Sequence, residues 1–375
     1  MNVLVNWYRI IYQNFLQNLD CLSIYPAEFD KEFPYYKFNG LPEYSKTMTK
    51  YRALFFDQEP IYINLMTKML DNFKFHIKHK SLLFFSTEIS KDKDIVVEKY
   101  KMNDVYYFYH AIAAQEMYLD GFYLNQDFNL NFDKVFISYN NLINNNRVYR
   151  SDFVARLYEK NLINEGYLSY NTNGNNSILE DIGFPLLPTS SKEIILKNID
   201  DLNKKLIIDH EVVTGAMSSS SGLENNLRAF VHVVTETIFY EQKLHLTEKI
   251  FKPIVSKQPF LLLAAPGNLE YLKGYGFKTF SDFWDEGYDK IINPAKRIEA
   301  VVAILESLAG KSHCELVAMK SAMRDILEHN HYHFYHTLRP MVVTELTDNM
   351  AKGLASAEIP YNTNDLQHLN QILCY

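Results

Sequence analysis

The residues best suited to chemistry fall in one stretch, where Thr235-Glu236-Thr237 and Thr247-Glu248-Lys249 bracket a polar loop between two apolar runs, Phe230 to Val234 and Ile250 to Val255. The first run reads as a buried strand, the second as the opening of the next helical or extended segment. In an open α/β sheet, ligands sit beyond the carboxyl ends of strands, where a lysine and the N–H groups of a helix start can meet phosphate. Glu236, Glu248 and Lys249 at the two ends of this loop therefore predict a nucleotide site.

Other chemistries find less support. The chain has no Gly-x-x-x-x-Gly-Lys loop and no Gly-x-Gly-x-x-Gly fingerprint, which argues against a kinase or a dehydrogenase. His329, His331, His333 and His336 mix strand-like and helical spacings without a neighbouring cysteine and do not read as a zinc site. Cys21, Cys314 and Cys374 are too scattered for a disulfide framework and point to a reducing compartment.

The elements that must carry the site follow from apolar runs. In the first part Ala53 to Phe56, Leu82 to Phe85 and Val105 to Tyr109 suit strands of a parallel sheet, with a helix over Ile61 to Phe73. Leu119 to Phe132 is polar and aperiodic and reads as a linker. Beyond it, strands are expected at Lys134 to Ser138, Lys205 to Ile208, Phe230 to Val234 and Phe260 to Ala264, and helices at Arg150 to Lys160, Arg297 to Ala309 and Cys314 to His329. Asn171 to Ser177 and Ser218 to Gly222 read as loops. A chain of 375 residues has room for two ordinary domains, expected at 1–132 and 133–346, with a polar tail at 347–375 on the surface or returning to the first domain.

Composition narrows the class of partner. A formal charge of −7 gives no global drive toward nucleic acid or anionic membrane. Lys74, His76, Lys78, His79 and Lys80 form one local basic cluster, read first as a solvated approach to a strand and second as a polyanion contact. The 27 Tyr and 25 Phe suit sugar-stacking walls, although most should be core or rim. The first residues do not resemble a secretion signal, and no apolar stretch reaches the about 20 residues of a bilayer span, so a cytoplasmic protein without membrane contact is expected.

Glu236, a Tyr-containing loop and then Thr247-Glu248-Lys249 resemble the Glu-Asn-Ser/Thr…Tyr-x-Thr-Glu-Lys signature of the α1,3-fucosyltransferase-like glycosyltransferases. Phe136-Ile-Ser-Tyr-Asn140 followed by Arg150-Ser-Asp-Phe-Val-Ala-Arg-Leu157 is similar to that family's Ser-Asn…Arg-x-x-Phe-x-x-x-Leu segment. Leu54-Phe-Phe-Asp-Gln-Glu-Pro60 stands where the family has an acidic strand-end motif. The order Asp-Gln-Glu-Pro, Tyr-Tyr-Phe-Tyr-His, His-Leu-Thr-Glu-Lys-Ile-Phe-Lys-Pro resembles still more closely the glycosyltransferase-like proteins of tailed bacteriophages. Two departures leave the donor open: Thr237 replaces the family's Asn, and the loop is longer.

The resemblance implies a GT-B fold, two Rossmann-like α/β domains facing a central cleft, with the acceptor on the N-terminal domain and a nucleotide sugar on the C-terminal one. Arg150, seconded by Arg147, and Lys249 would hold the donor phosphates, Glu248 the ribose, Glu236 the donor sugar or ribose, and Thr247 completes the motif. The donor would be a UDP- or GDP-sugar, with no permanently bound cofactor or metal, because Arg and Lys take the metal's place. Asp92-Lys-Asp94 matches the Asp-x-Asp pattern of metal-dependent enzymes but reads as a solvated lysine-rich loop. Inverting transfer needs a base, expected at Glu59 or Asp57 after the strand Ala53 to Phe56, with Glu88 and Glu116 as alternatives. His110 and Glu116 are expected to face the acceptor. That acceptor is a hydroxymethylated base in phage DNA, or a glycan or protein; a non-catalytic virion or binding protein retaining the fold is the rival reading.

Overall fold

The computed structural model describes residues 2–19, 21–24, 51–72, 82–119, 121–140, 143, 147–170, 187–198, 200–202 and 223–375. The expected strand Lys205 to Ile208, the loops Asn171 to Ser177 and Ser218 to Ser221 and the basic cluster Lys74 to Lys80 lie outside these residues. The chain divides into two compact units, Met1–Glu116 together with Thr337–Tyr375, and Met117–His336. Residues 117–132 thus count with the second unit and 337–346 with the first, unlike the boundaries expected from sequence.

The first unit carries four parallel strands, β1 (Cys21–Ile24), β2 (Tyr51–Phe56), β3 (Leu82–Ser86) and β4 (Asn103–Tyr106), side by side in sequence order. Tyr-Arg-Ala-Leu-Phe-Phe and Leu-Leu-Phe-Phe-Ser are apolar on both faces, so the sheet needs a cover on each side. The helices that connect β2 to β3 and β3 to β4 share one face of the sheet, as crossovers of one hand require. There Leu54, Phe56, Leu82 and Phe84 pack with Met66, Met69 and Leu70 of helix Ile63–Asn72 and Val96 of helix Lys91–Tyr100. The other face is covered by segments remote in sequence. Tyr8 of helix Asn2–Asn14 stands edge-on to Phe55 at 5.2 Å, and Gly353 of helix Leu338–Ser356 comes so near that a Cβ there would lie 3.1 Å from Val105 Cγ2 and 3.2 Å from Leu83 Cδ2.

This requirement accounts for the end of the chain. The passage expected as a polar tail is the end of helix Leu338–Ser356 followed by helix Thr363–Cys374, with Leu346, Met350, Leu354, Leu366, Leu369 and Leu373 buried. Their spacing is helical, and the intervening polar residues belong to outward faces. Further corrections concern element ends. The strand expected at Val105 to Tyr109 ends at Tyr106, and His110 lies in the first turn of helix Tyr109–Met117. Asp92 and Asp94 lie in the first turn of helix Lys91–Tyr100, capped by Ser90, and Lys93 pairs with Asp104 at 2.6 Å. Carboxylates there complement the helix dipole, which explains an Asp-x-Asp pattern without a metal.

The second unit carries β5 (Lys134–Asn140), β6 (Gly166–Tyr170), β7 (Ala229–Thr235) and β8 (Phe260–Leu263), all parallel, in the order β6-β5-β7-β8. The presumed linker contains helix Gly121–Leu124, and Phe132 packs on Phe230. The single helix expected at Cys314 to His329 is two, His313–Ala322 and Arg324–His336. Ring nitrogens of His329, His331 and His333 bond the carbonyls of Gly276, Tyr123 and Tyr275 at 3.0, 2.9 and 2.6 Å. His329 and His333 fasten helix Arg324–His336 to the turn at Gly276, and His331 fastens it to helix Gly121–Leu124.

Gly276 has φ +88°, and a Cβ there would lie 2.7 Å from the His333 ring. Left-handed backbone and a held ring penalise any side chain together. Gly276→Ala is expected to lower the unfolding free energy by about 2–3 kcal/mol in a urea titration; an unchanged midpoint would show that the ring and the turn's backbone both relax freely.

Candidate functional site

In the second sheet the connection after β5 runs to β6 on one side and the connection after β7 runs to β8 on the other, so the strand order reverses between β5 and β7. Open α/β sheets bind ligands outside the carboxyl ends of strands at such a reversal. The residues found there are Tyr139 and Asn140 at the end of β5, and Thr235 and Glu236 at the end of β7. Thr235 Oγ1 donates to the Tyr139 carbonyl at 3.0 Å and ties the two strand ends together.

Helix Tyr149–Glu159 supplies Arg150 to this edge. Its buried guanidinium donates through Nη2 to the Thr235 carbonyl at 2.7 Å and lies 3.4 Å from the Glu236 carbonyl. Asp152, two residues on, is held by Arg156 and by Ser191, whose hydroxyl donates at 2.6 Å. Burial lowers the Arg150 pKa, and Arg147 beside it pushes the same way. Arg150 thus clamps the carboxyl end of β7, while Arg147 is only half-buried and has no hydrogen bond or ion pair among the described residues.

Glu236 is engaged by the loop that follows it. Its side chain is buried; Oε1 accepts the Thr247 N–H at 3.1 Å, and Oε2 accepts the Thr237 N–H at 3.1 Å and the Thr247 hydroxyl at 2.6 Å. The carboxylate therefore latches both ends of the loop 237–247. Burial raises its pKa, opposed first by the charge of Lys249. Lys249 reaches it through a relay, Nζ donating to Thr247 Oγ1 at 3.0 Å, and pairs with Glu248 at 3.0 Å. Thr247 is thereby the hub of the motif. The expected helix start at Lys249 is a 3₁₀ turn, Glu248–Ile250, running into the short helix Phe251–Val255.

Sequence reasoning missed the residues that stiffen this site. Tyr149 donates its hydroxyl to the Glu236 carbonyl at 2.6 Å, and its ring stacks on Phe239 at 3.9 Å. Arg297 lies 4.1 Å from the Phe239 centroid and donates to the carbonyls of Phe239 and Ile291; burial brings its pKa down to about 10. Asn268 holds the far part of the loop, accepting from His245 N and donating to the Lys243 carbonyl. Lys252 sits 4.1 Å from the Tyr139 centroid, and burial followed by Lys252 keeps His232 neutral. Only the Tyr149-Arg150 adjacency gave a sequence signal for any of these, because the others reach the site by tertiary packing.

The first unit has its own cluster at the carboxyl ends of its strands. Asp57, just after β2, is buried and accepts hydroxyl protons from Tyr8 at 2.7 Å and from Tyr107. Desolvation raises its pKa to about 7, against the two tyrosine hydrogen bonds. Glu88, after β3, is buried, accepts from the Ile61 N–H at 2.8 Å and is bonded by the Ser90 hydroxyl. Glu59 is half-buried on the turn between them. Glu116 accepts from Arg339 at 2.6 Å, and Arg339 also donates to the Leu373 carbonyl, so this carboxylate fastens the returning helices. His110 is buried against the Tyr109 ring.

Among the described residues no helix is long and apolar enough to cross a membrane. In comparison with known proteins, no family model matches the chain and no curated protein matches it significantly.

Proposed function

We propose that the chain is a glycosyltransferase of the GT-B kind that moves a sugar from a nucleotide-diphosphate donor, bound by the second unit, to an acceptor hydroxyl deprotonated by a carboxylate of the first. The observation that carries this reading is the rigid, cation-bearing edge at the β5–β7 reversal, where Arg150, Thr247 and Lys249 of the fucosyltransferase-like motifs meet at one strand end. The buried Arg150 and Glu236 shape the edge. The half-buried Arg147 and Lys249 are the cations with access to a diphosphate. Neutralising a departing diphosphate by fixed cations supports transfer without a metal.

The test is a donor screen with UDP-, GDP-, ADP- and CMP-sugars, read by thermal shift and by released nucleotide, with hydroxymethylated DNA and with glycans as acceptors. One donor should raise the melting temperature. Arg147→Ala and Lys249→Ala should each weaken its binding by about tenfold to a hundredfold, the loss of one charge-assisted contact. No shift with any donor would favour a non-catalytic binding protein.

A further inference from the structure

The turn that carries Glu248 and Lys249 has little structure of its own. It is three residues of 3₁₀ helix, Glu248–Ile250, followed by a helix of five, Phe251–Val255. A helix that short is not stable by itself, so its place is set by what it packs on. Its first residue, Phe251, is buried against two rings, Phe334 at 5.2 Å and Phe277 at 5.9 Å. Phe334 belongs to helix Arg324–His336. The Tyr118 ring stands edge-on to Phe334 at 6.4 Å and to Tyr123 at 4.9 Å, so the rings form one column from the segment 118–123 to the turn. The same helix also holds that segment by its backbone, the Tyr335 hydroxyl donating to the Tyr118 carbonyl at 2.8 Å and His331 Nε2 bonding the Tyr123 carbonyl at 2.9 Å. Burial, then Tyr123 and the Glu248 carboxylate, raise the Tyr118 pKa, so a hydroxyl that keeps its proton stands within electrostatic reach of Glu248. Both segments adjoin the places where the chain passes between its two units, after Glu116 and after His336.

We infer that Phe334 and Tyr118 are positioning residues for the Thr-Glu-Lys turn: Phe334 sets helix Phe251–Val255, Tyr118 orients the Glu248 carboxylate, and the affinity for a nucleoside diphosphate is therefore controlled from the segments at which the chain passes between units. A ligand-bearing turn with so little structure needs such support from behind to hold its charged groups in one geometry. The ligand named here rests on the glycosyltransferase reading; the ring packing stands apart from it.

The test uses the full chain with UDP, GDP and ADP as probes in calorimetric titrations, and carries whichever binds wild type forward to the variants. Tyr118→Phe keeps the ring and removes the hydroxyl, and should weaken binding by about tenfold. Glu248→Gln should weaken it as well, and adding Tyr118→Phe to Glu248→Gln should change it further by less than about twofold, because the hydroxyl acts through the carboxylate. Wild-type affinity in Tyr118→Phe, or two losses that simply multiply in the double variant, would overturn the role of Tyr118 while leaving the transferase reading intact. Phe334→Leu keeps an apolar side chain without the ring, and is read without any ligand. Hydrogen exchange of the amides of Phe251–Val255 should quicken by about tenfold relative to those of β7, with circular dichroism confirming the fold. Exchange as slow as in wild type would overturn the role of Phe334. A wild-type chain that binds none of the three nucleotides would overturn the transferase reading and the control of nucleotide affinity with it, whereas the exchange comparison decides the support of the turn by itself.

Discussion

Glu236→Ala is expected to lower the unfolding free energy by about 4 kcal/mol and to abolish any donor-induced thermal shift. The wild-type carboxylate accepts two backbone N–H groups and one hydroxyl, all at residues buried at the end of β7. Truncation leaves the Thr237 and Thr247 amides without their acceptor, and an orphaned buried donor costs about 1–3 kcal/mol. A small void adds to the loss. Both ends of the loop 237–247 come free together, and Thr247, which orients Lys249, loses the acceptor of its own hydroxyl. Urea titration gives the stability, and thermal shift with the donor panel gives the binding. A change below about 1 kcal/mol would mean that water replaces the carboxylate and that the latch is dispensable.

The second large effect is a pH dependence of stability centred on Asp57. Its folded-state pKa is raised from 3.8 to about 7, because complete burial outweighs the hydrogen bonds from Tyr8 and Tyr107. A carboxyl with a raised folded pKa is protonated in the folded chain where the unfolded chain has already released the proton. Stability from this group is therefore greatest below the unfolded value and falls as pH rises, until the loss is complete above pH 7. A shift of this size amounts to about 4 kcal/mol. Asp57→Asn removes the charge, while its amide can accept from one tyrosine and donate to the other. The variant should exceed wild type in stability by about 4 kcal/mol at pH 8 and by much less at pH 5. His331 and His333, whose pKa values burial lowers, weaken the fold in the opposite direction as pH falls below 6.5. Their contribution cancels in the difference between variant and wild type at each pH, so urea titrations of both proteins at pH 5, 6.5 and 8 isolate Asp57. A difference that does not grow with pH would mean that Asp57 is ionised in the folded chain at every pH tested.

The two predictions concern carboxylates at strand ends that sequence reasoning had assigned to chemistry and that the structure surrounds with hydrogen-bond donors. Sequence shows that a carboxylate follows an apolar run. It does not show whether the chain turns that carboxylate outward or surrounds it with donors. At Glu236 the donors come from the next residue and from one eleven positions on; at Asp57 they come from Tyr8 and Tyr107, about 50 positions away on either side. Arg150 followed the same course. Its position near the site was legible from Arg150 to Leu157 as a helix, but its burial against the Thr235 carbonyl depends on how that helix packs on β7.

The sequence by itself determined the parallel α/β character, because apolar runs without alternation mark strands buried on both faces. It also determined the location of the Thr-Glu-Lys motif, because a polar cluster just after such a run must lie at a sheet edge. Only the tertiary structure decided which charges stay accessible and where the chain's end belongs. The first sheet needed a second cover, and helices supplied by Tyr8 and Gly353 provide it from opposite ends of the chain. Burial is a property of the whole packed surface, and local residue patterns do not contain it.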